Sequence, residues 1–220
     1  MEYIVEIKKI TKVIKGHTVL NNINLQLDKG KIYGFQGKNG SGKTMLLRAI
    51  CGLIKPTKGE VFVNQKKLDD NFPDSIGVLI EYPGFLPNYT GLQNLKLLAS
   101  IQNKINEEDI RKVLIQVGLD PTDKRKVKKY SLGMKQRLGI AQAVMENPDI
   151  LVLDEPTNAL DKNAVKIVRE LLLDLKKQGK TIIIASHDQN ELQVLCDDLY
   201  TIDTGEIVEH YTTDLSDLQG

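Results

Sequence analysis

The chain has 220 residues, of which 41% are hydrophobic, so it is long enough for one large domain with a substantial core. Its formal net charge is +1, it contains no tryptophan, and aromatic residues make up only 5%. This balance argues against a nucleic-acid partner, which needs a strongly basic surface or an aromatic stacking platform. The basic runs at 124–126 and 128–129 are typical of a solvated loop.

The cysteine content and the hydropathy pattern favour a cytoplasmic setting. Cys51 and Cys196 do not form a CxxC pair, and the first residues show no pattern of a secretory signal peptide. No apolar run approaches the roughly 18–20 residues that a membrane helix needs. We therefore expect a reduced, cytoplasmic protein that does not span a membrane by itself.

The first 80 residues are predicted to be rich in strands. Short apolar or alternating runs predict strands at 4–7, 23–27 and 31–35, and the patterns at 59–68 and 76–80 predict a hairpin strand and a buried strand. A glycine-rich loop follows residue 35, and we expect a helix at about 43–51.

Helical periodicity replaces the strand pattern from about residue 90 to residue 145. Thr90 and Asn106 are predicted helix N-caps, and Ser131 is a third, placed before an amphipathic run that begins at Met134. Three acidic residues follow Asn106, where the helix dipole favours them. We therefore predict an inserted helical subdomain at about 85–148.

Strands and helices alternate again after residue 148. Continuous apolar runs at 150–153 and 181–185 are typical of a parallel sheet covered on both faces. Helices are expected at about 163–177 and 188–196, and a hairpin at about 200–208. The chain is thus predicted to be a single α/β domain, 1–220, with its β portions at about 1–80 and 150–220.

A phosphate-binding motif, G-x-x-x-x-G-K-[ST], lies between a predicted strand and a predicted helix, which is the context that it requires. The match consists of Gly37, Lys38, Asn39, Gly40, Ser41, Gly42, Lys43 and Thr44. Glycines allow backbone N–H groups to surround phosphate oxygens, and the helix N-terminus adds partial positive charge. We expect Lys43 to reach the β- and γ-phosphates and Thr44 to bind Mg²⁺.

Two carboxylates follow the apolar strand at 150–153. Asp154 is expected to lie at the carboxyl end of the sheet, where α/β proteins bind ligands, and to help hold Mg²⁺ there. Glu155 points elsewhere and is suited to orient and deprotonate an attacking water. His187 ends the strand at 181–186, so it shares this edge if the strands are parallel, and it could donate to the γ-phosphate or the water.

These motifs, in this order, resemble those of the nucleotide-binding subunit of ABC transporters, over nearly the whole chain. The sequence Y-S-L-G-M at 130–134 takes the place of that family's L-S-G-G-Q signature, and Asp161 matches its D-loop. The resemblance implies a P-loop NTPase core with a mostly parallel sheet, an N-terminal antiparallel β subdomain and a helical insert. It also implies an ATP-dependent head-to-tail dimer, in which Ser131 and Gly133 contact the ATP held by the partner.

The chain departs from the family pattern at four positions. Leu132 and Met134 replace a glycine and a glutamine of the signature, which puts the local backbone turn and a sugar contact in question. Glu81 stands where the family has a glutamine that serves Mg²⁺, and a carboxylate keeps that role on charge grounds. Ile14 replaces an aromatic ring that stacks on adenine, so we expect weaker binding and weaker discrimination of the base.

The segment from Glu81 to Gly91 resembles that of ATPases that serve exporters of peptide antibiotics and lantibiotics. In the family this segment meets a cytosolic helix of a separate transmembrane permease, which would hold the chain at the inner face of the membrane. Phe85, Leu86 and Tyr89 fit two interpretations, as apolar groups exposed for this contact or as groups packed on the helical insert.

Three other functions compete with the transporter motor. A soluble ATPase of the same fold that acts on ribosomes or DNA is the alternative, although such relatives carry two domains or long coiled coils. A non-catalytic nucleotide sensor is disfavoured by the presence of both Glu155 and His187. A GTPase is disfavoured because the sequence contains no N-K-x-D stretch.

Overall fold

A six-stranded sheet forms the centre of the structure, a computed structural model that describes residues 3–69, 71–81 and 84–213. Its spatial order is β10-β9-β3-β8-β7-β6, and all neighbours pair in parallel except β10 with β9. The strands are β3 (Ile32–Gln36), β6 (Ile76–Leu79), β7 (Ile150–Asp154), β8 (Thr181–Ser186), β9 (Asp198–Asp203) and β10 (Glu206–Thr212). The expectation of a mostly parallel sheet is confirmed.

A smaller antiparallel sheet packs beside it, with the order β2-β1-β4-β5. Its strands are β1 (Val5–Ile14), β2 (His17–Leu27), β4 (Lys58–Val63) and β5 (Lys66–Lys67). Residues 59–68, predicted as a hairpin strand, lie in β4 and β5, and the turn between these strands is tight because Asn64 and Gln65 both adopt positive φ angles. The predicted antiparallel portion near the N-terminus is confirmed.

The central strands are apolar because both faces of the six-stranded sheet are covered. Val152 and Ile183 point into one core with helix α1 (Lys43–Ile50) and the antiparallel sheet, whereas Leu151 and Ile182 point into a second core with the helical insert. Neighbouring residues of a strand face opposite sides, so a strand buried on both faces loses the polar alternation.

The helical insert contains α2 (Gly91–Gln102), α3 (Glu107–Gln116) and α4 (Leu132–Val144). All three predicted N-caps are confirmed, since the side chains of Thr90, Asn106 and Ser131 accept hydrogen bonds from N–H groups of the first turns. Each cap satisfies a backbone donor that has no partner within the helix.

Two more helices flank β8, and their boundaries differ from the predictions by about one residue. Helix α5 (Lys162–Lys177) is capped by Asp161, and helix α6 (Gln189–Leu195) is capped by Asp188. Among the helices of residues 3–69, 71–81 and 84–213, none is both long and apolar enough to cross a membrane. The assignment of 1–220 to one domain stays a prediction.

Candidate active site

The phosphate-loop motif connects β3 to α1, as the sequence predicts. Gly42 caps α1 with a φ of 112° and provides no side-chain hydrogen bond, so the first N–H groups of the helix remain available. A Cβ atom at Gly37 would lie 2.3 Å from the carbonyl oxygen of Ile202, which explains why this position is glycine. The loop is therefore held close to β9 while its backbone donors face outward.

Lys43 is a buried cation that lies within the loop itself. Its ammonium group donates to the carbonyl oxygens of Gly37 at 2.6 Å and Lys38 at 3.2 Å. Burial lowers the pKa of Lys43, and the carboxylates of Glu155 and Asp154 oppose this shift. An anion placed here would gain a partly desolvated positive charge, whose interactions are stronger than those of an exposed lysine.

Ser41 adds a second unusual group to the loop. Its hydroxyl oxygen is buried, and it lacks a hydrogen-bond partner among the described residues. Buried polar atoms normally have partners, so an unpaired one beside a buried lysine indicates a place prepared for a ligand oxygen.

Asp154, at the end of β7, contacts Thr44 in the first turn of α1. The hydroxyl of Thr44 donates to Asp154 Oδ2 at 2.7 Å, whereas Oδ1 is buried without a partner in the described part of the chain. Burial raises the pKa of the Asp154 carboxyl, and the negative charge of Glu155 adds to this effect. Oxygen donors of this kind fit Mg²⁺, which favours carboxylates and hydroxyls.

Glu155 leaves the strand in a different direction from Asp154. It has a positive φ of 49°, and its N–H donates to the carbonyl oxygen of Ala185 at 2.8 Å. Its carboxylate accepts hydrogen bonds from the Ser186 hydroxyl and the His187 N–H, both at 3.1 Å. The two neighbouring carboxylates thus have different partners: Asp154 contacts α1, and Glu155 contacts the end of β8.

His187 lies at the same sheet edge as Asp154, because β7 and β8 are parallel neighbours with Asp154 in register with Ala185. Its Nδ1 atom lies 2.9 Å from Glu155 Oε2, and the side chain is exposed. This contact orients the ring against Glu155 and leaves Nε2 for a ligand or a water.

Glu81 follows β6, the strand next to β7, with a positive φ of 60°. Its carboxylate pairs with Arg48 of α1 at 2.5 Å, a contact that sequence reasoning missed. The charge of Glu81 also raises the pKa of Asp154, which places the two carboxylates in the same electrostatic neighbourhood. If Glu81 binds the metal as predicted, its carboxylate has to give up the hydrogen bond from Arg48. Arg48 follows Thr44 by one helical turn, a spacing that could have indicated a shared face.

The start of α4 is a separate feature of the surface. Ser131 and Leu132 are exposed, and the Ser131 hydroxyl accepts a hydrogen bond from the Met134 N–H at 3.2 Å. Leu132 begins the helix without a positive φ, so the turn does not require the glycine of the family signature.

Gly133 packs closely, since a Cβ atom there would lie 2.8 Å from the Ala159 carbonyl oxygen. Asp161 is exposed and accepts a hydrogen bond from the Ala164 N–H at 2.8 Å.

A cavity of about 600 Å³ lies between the phosphate loop and the β1–β2 hairpin. Asp154 and Glu155 line one side, and the hairpin contributes Ile14, Lys15, His17 and Val19. Ile14 lines the cavity as its sequence position suggested, whereas no function was predicted for His17. Pairing of Ile14 with His17 across the hairpin brings both to the cavity, and the turn at residues 15–16 was the available signal.

A parallel sheet that delivers a glycine-rich loop and two acidic side chains to one edge defines an ATP-binding hydrolase. The ABC transporter family matches residues 20–158. The chain therefore belongs to the ABC transporter family, as an ATP-binding subunit with ATPase activity.

Three relatives place the chain within this family. It is 50% identical over 195 residues to the uncharacterized ABC transporter ATP-binding protein YybJ of Bacillus subtilis, covering 88% of this chain and 89% of that protein. It is 40% identical to the bacitracin transport ATP-binding protein BcrA of Enterococcus faecalis, covering 95% and 69%. It is 37% identical to the lantibiotic transport ATP-binding protein SrtF of Streptococcus pyogenes, covering 92% and 88%. These names give no support to a ribosome- or DNA-directed ATPase.

Solved structures agree with the fold. The ATP-binding cassette MJ0796, in a dimeric post-hydrolysis state with ADP and Pi, superimposes with a TM-score of 0.87 at 28% identity. The alignment covers 94% of this chain and 98% of that one. The predicted family and fold are thus confirmed.

Proposed function

We propose that the chain binds Mg²⁺-ATP at residues 37–44 and hydrolyses it in a head-to-tail dimer that drives a transporter. The observation that carries this proposal is a pair of buried oxygens, Ser41 Oγ and Asp154 Oδ1, which lack hydrogen-bond partners among the described residues and belong to the same cavity lining as the buried Lys43. Such an arrangement is costly without a ligand and is satisfied by phosphate oxygens and a cation.

The phosphate loop binds the triphosphate through its backbone N–H groups. Lys43 would exchange its carbonyl partners for the β- and γ-phosphates, and Thr44, Asp154 and Glu81 would hold Mg²⁺. The metal would supply positive charge that offsets the charge on the phosphate oxygens. Glu81 pairs with Arg48 in the structure, so it would have to give up this partner to bind the cation.

Glu155 is proposed to orient the attacking water and to accept its proton. The hydrogen bonds from Ser186 and His187 fix the carboxylate against the end of β8, so it does not turn toward Asp154. His187, held by its Nδ1 contact, presents Nε2 for the γ-phosphate or the water. Catalysis then consists mostly of positioning and electrostatics, as is general for phosphoryl transfer.

The second copy is proposed to supply Ser131 and Gly133 to the γ-phosphate, with the N-terminus of α4 behind them. Asp161, the N-cap of α5, is proposed to belong to the same face. The exposure of Ser131 and Leu132 supports this interpretation, as does the dimeric state of MJ0796. Ile14 and His17 are proposed to contact the base, with weak discrimination because Ile14 provides no ring.

A transmembrane permease is the proposed second partner, with contact near Glu81–Gly91. Leu86 and Tyr89 are 41% and 44% exposed, whereas Phe85 is half-buried and packs against the core of the helical insert. Leu86 and Tyr89 therefore fit the interpretation as exposed contact groups, whereas Phe85 fits the interpretation as a packed group. Tyr82 and Pro83 lie outside the described residues. This contact would hold the chain at the cytoplasmic face of the membrane.

We propose a peptide antibiotic as the exported substrate, because relatives at 37–40% identity are named for bacitracin and lantibiotic transport. The test is the growth of the host strain carrying Glu155→Gln in the presence of bacitracin or a lantibiotic. We expect increased sensitivity to at least one of these peptides. Unchanged sensitivity to both would exclude this substrate class.

The hydrolytic role is tested with the purified chain and Mg²⁺-ATP. Glu155→Gln is expected to lower kcat by about 100-fold or more, the typical contribution of a general base, while ATP still binds. Glu170→Gln is the matched control, because Glu170 is an exposed α5 residue whose carboxylate lies 3.9 Å from Lys166. Equal rates for the two variants would exclude Glu155 as the base.

A further inference from the structure

Gln136 is a buried polar residue that the proposed mechanism does not use. It lies in α4, one turn after Gly133, and only 5% of it is exposed. Its side-chain amide nitrogen donates to the backbone carbonyl oxygen of Glu155 at 2.9 Å and to that of Pro156 at 3.3 Å. An amide carries two N–H groups, so both donors are directed at this one stretch of backbone.

The backbone that Gln136 holds is conformationally strained. Glu155 has a φ of 49°, a left-handed conformation that costs about 1–2 kcal/mol for a residue with a side chain. Its N–H is fixed by Ala185 at 2.8 Å, and its carbonyl oxygen also accepts from the Asn158 N–H at 3.1 Å. Gln136 thus completes a set of contacts that determines where the Glu155 side chain leaves the main chain.

The same turn of α4 contacts the segment after Glu155 at a second point. Gly133 lies so close to the Ala159 carbonyl that a Cβ atom would be 2.8 Å from the oxygen. Movement of the α4 N-terminus therefore displaces residues 155–159 unless these contacts break, because close-packed groups transmit strain.

We propose that Gln136 is a positioning residue that couples the two ATP sites of the dimer. This inference rests on the proposed function, in which the start of α4 binds the partner's ATP and Glu155 acts on the chain's own ATP. ATP bound at the partner's site shifts or fixes the start of α4. Because Gln136 bonds the backbone of Glu155 and Pro156, the position of α4 then determines the position of the Glu155 carboxylate. Gln136 touches neither nucleotide.

The test compares Gln136→Met, which keeps the side-chain length but removes both donors, with Gln116→Met, a matched change at the exposed end of α3. We expect Gln136→Met to lower kcat at least tenfold, to change KM less than twofold, and to bring the Hill coefficient for ATP to 1. In the nucleotide-free chain, hydrogen exchange at residues 155–161 should accelerate at least tenfold. Gln116→Met should leave all four quantities unchanged.

A second background separates this inference from the proposed function. Glu155→Gln alone should dimerise with Mg²⁺-ATP, and the double variant Glu155→Gln/Gln136→Met should dimerise equally, because the phosphate loop and the signature are intact. If Glu155→Gln does not dimerise, the proposed function fails and this inference fails with it. If it dimerises but Gln136→Met keeps the wild-type kcat and Hill coefficient, only the coupling role fails. Gln136→Asn, whose amide is one methylene too short, provides the same comparison if the methionine variant does not fold.

Discussion

Helices α1 and α4 both begin where a phosphate group is expected, but their N-termini are built differently. At α1, Gly42 provides no side-chain cap for the first N–H groups, and the preceding loop and first turn hold a buried serine and a buried lysine. At α4, Ser131 is exposed and its own hydroxyl already accepts a hydrogen bond from the Met134 N–H. In the proposed function, the first is a ligand site within one chain, whereas the second is a capped surface helix that becomes a ligand site only with a partner.

In the proposed dimer, this difference would divide a single site between two copies. The α1 half, residues 37–44 with Asp154, carries the buried charge of Lys43 and two oxygens that lack a partner in the described part of the chain, so it is costly without nucleotide and would be stabilised by a ligand. In the α4 half, residues 131–134, Ser131 satisfies one backbone donor, the Met134 N–H, which favours a helix start that is stable when exposed. We therefore expect nucleotide-free chains to exist apart and ATP to bring the two halves together.

The largest expected effect comes from removing the charge of the α1 half. Lys43→Ala should weaken ATP binding by about 30-fold or more, because loss of a buried charge partner typically costs 2–5 kcal/mol. Lys166→Ala, at an exposed position of α5, is the control. Calorimetric titration with ATP measures both, and similar affinities would contradict the assignment of Lys43.

The next effect concerns how the α4 half is held. Gly133→Ala places a Cβ atom 2.8 Å from the Ala159 carbonyl oxygen, and overpacking of this kind costs about 1–3 kcal/mol. The gain from a better helix former is only about 0.5–1 kcal/mol. We expect a net loss of about 1 kcal/mol, or roughly 2–4 °C in Tm. Gly84→Ala, where a Cβ atom meets nothing within 4 Å, should change Tm little. Equal Tm values would show that α4 is not held at this point.

The smallest expected effect is on the free energy of unfolding, and it comes from the buried carboxyl of Asp154 in the nucleotide-free chain. Because burial raises the pKa of Asp154, the folded chain keeps a proton that the unfolded chain loses near the ordinary pKa of 3.8. The free energy of unfolding therefore falls as pH rises from 3.8 through the raised pKa, and the loss is complete above it. Asp154→Asn removes this cost, so it should raise Tm by a few degrees at neutral pH.

The pH series supplies the control for this prediction. Near pH 3.8 the Tm of Asp154→Asn should equal that of the wild type, and the difference should grow toward neutral pH. Thermal unfolding without nucleotide or Mg²⁺ measures it. A variant that is less stable than the wild type at neutral pH would contradict the account of Asp154.

Local signals predicted much of the fold and of the α1 half. Residues 37–44 form a motif whose spacing itself specifies a strand, a loop and a helix, and each predicted N-cap lies beside the donors that it satisfies. The edge shared by Asp154 and His187 followed from the rule that parallel strands end together.

Long-range side-chain contacts could not be predicted in this way. The pair of Arg48 with Glu81 and the bonds from Gln136 to Glu155 join residues 33 and 19 positions apart. Such contacts depend on how helices pack on the sheet, which no local pattern encodes. His17 differs, because the turn at residues 15–16 was a local signal for its pairing with Ile14, but only the folded hairpin shows that it lines the cavity.

The most direct test of the divided site is sedimentation of Glu155→Gln with and without Mg²⁺-ATP. We predict a monomer without nucleotide, a dimer with Mg²⁺-ATP, and a monomer in both conditions once Ser131→Arg is added. The Ser131→Arg variant should still bind ATP, because its phosphate loop is intact. A chain that binds ATP tightly but never dimerises, or a dimer that persists with Ser131→Arg, would contradict the claim that α4 completes the partner's site.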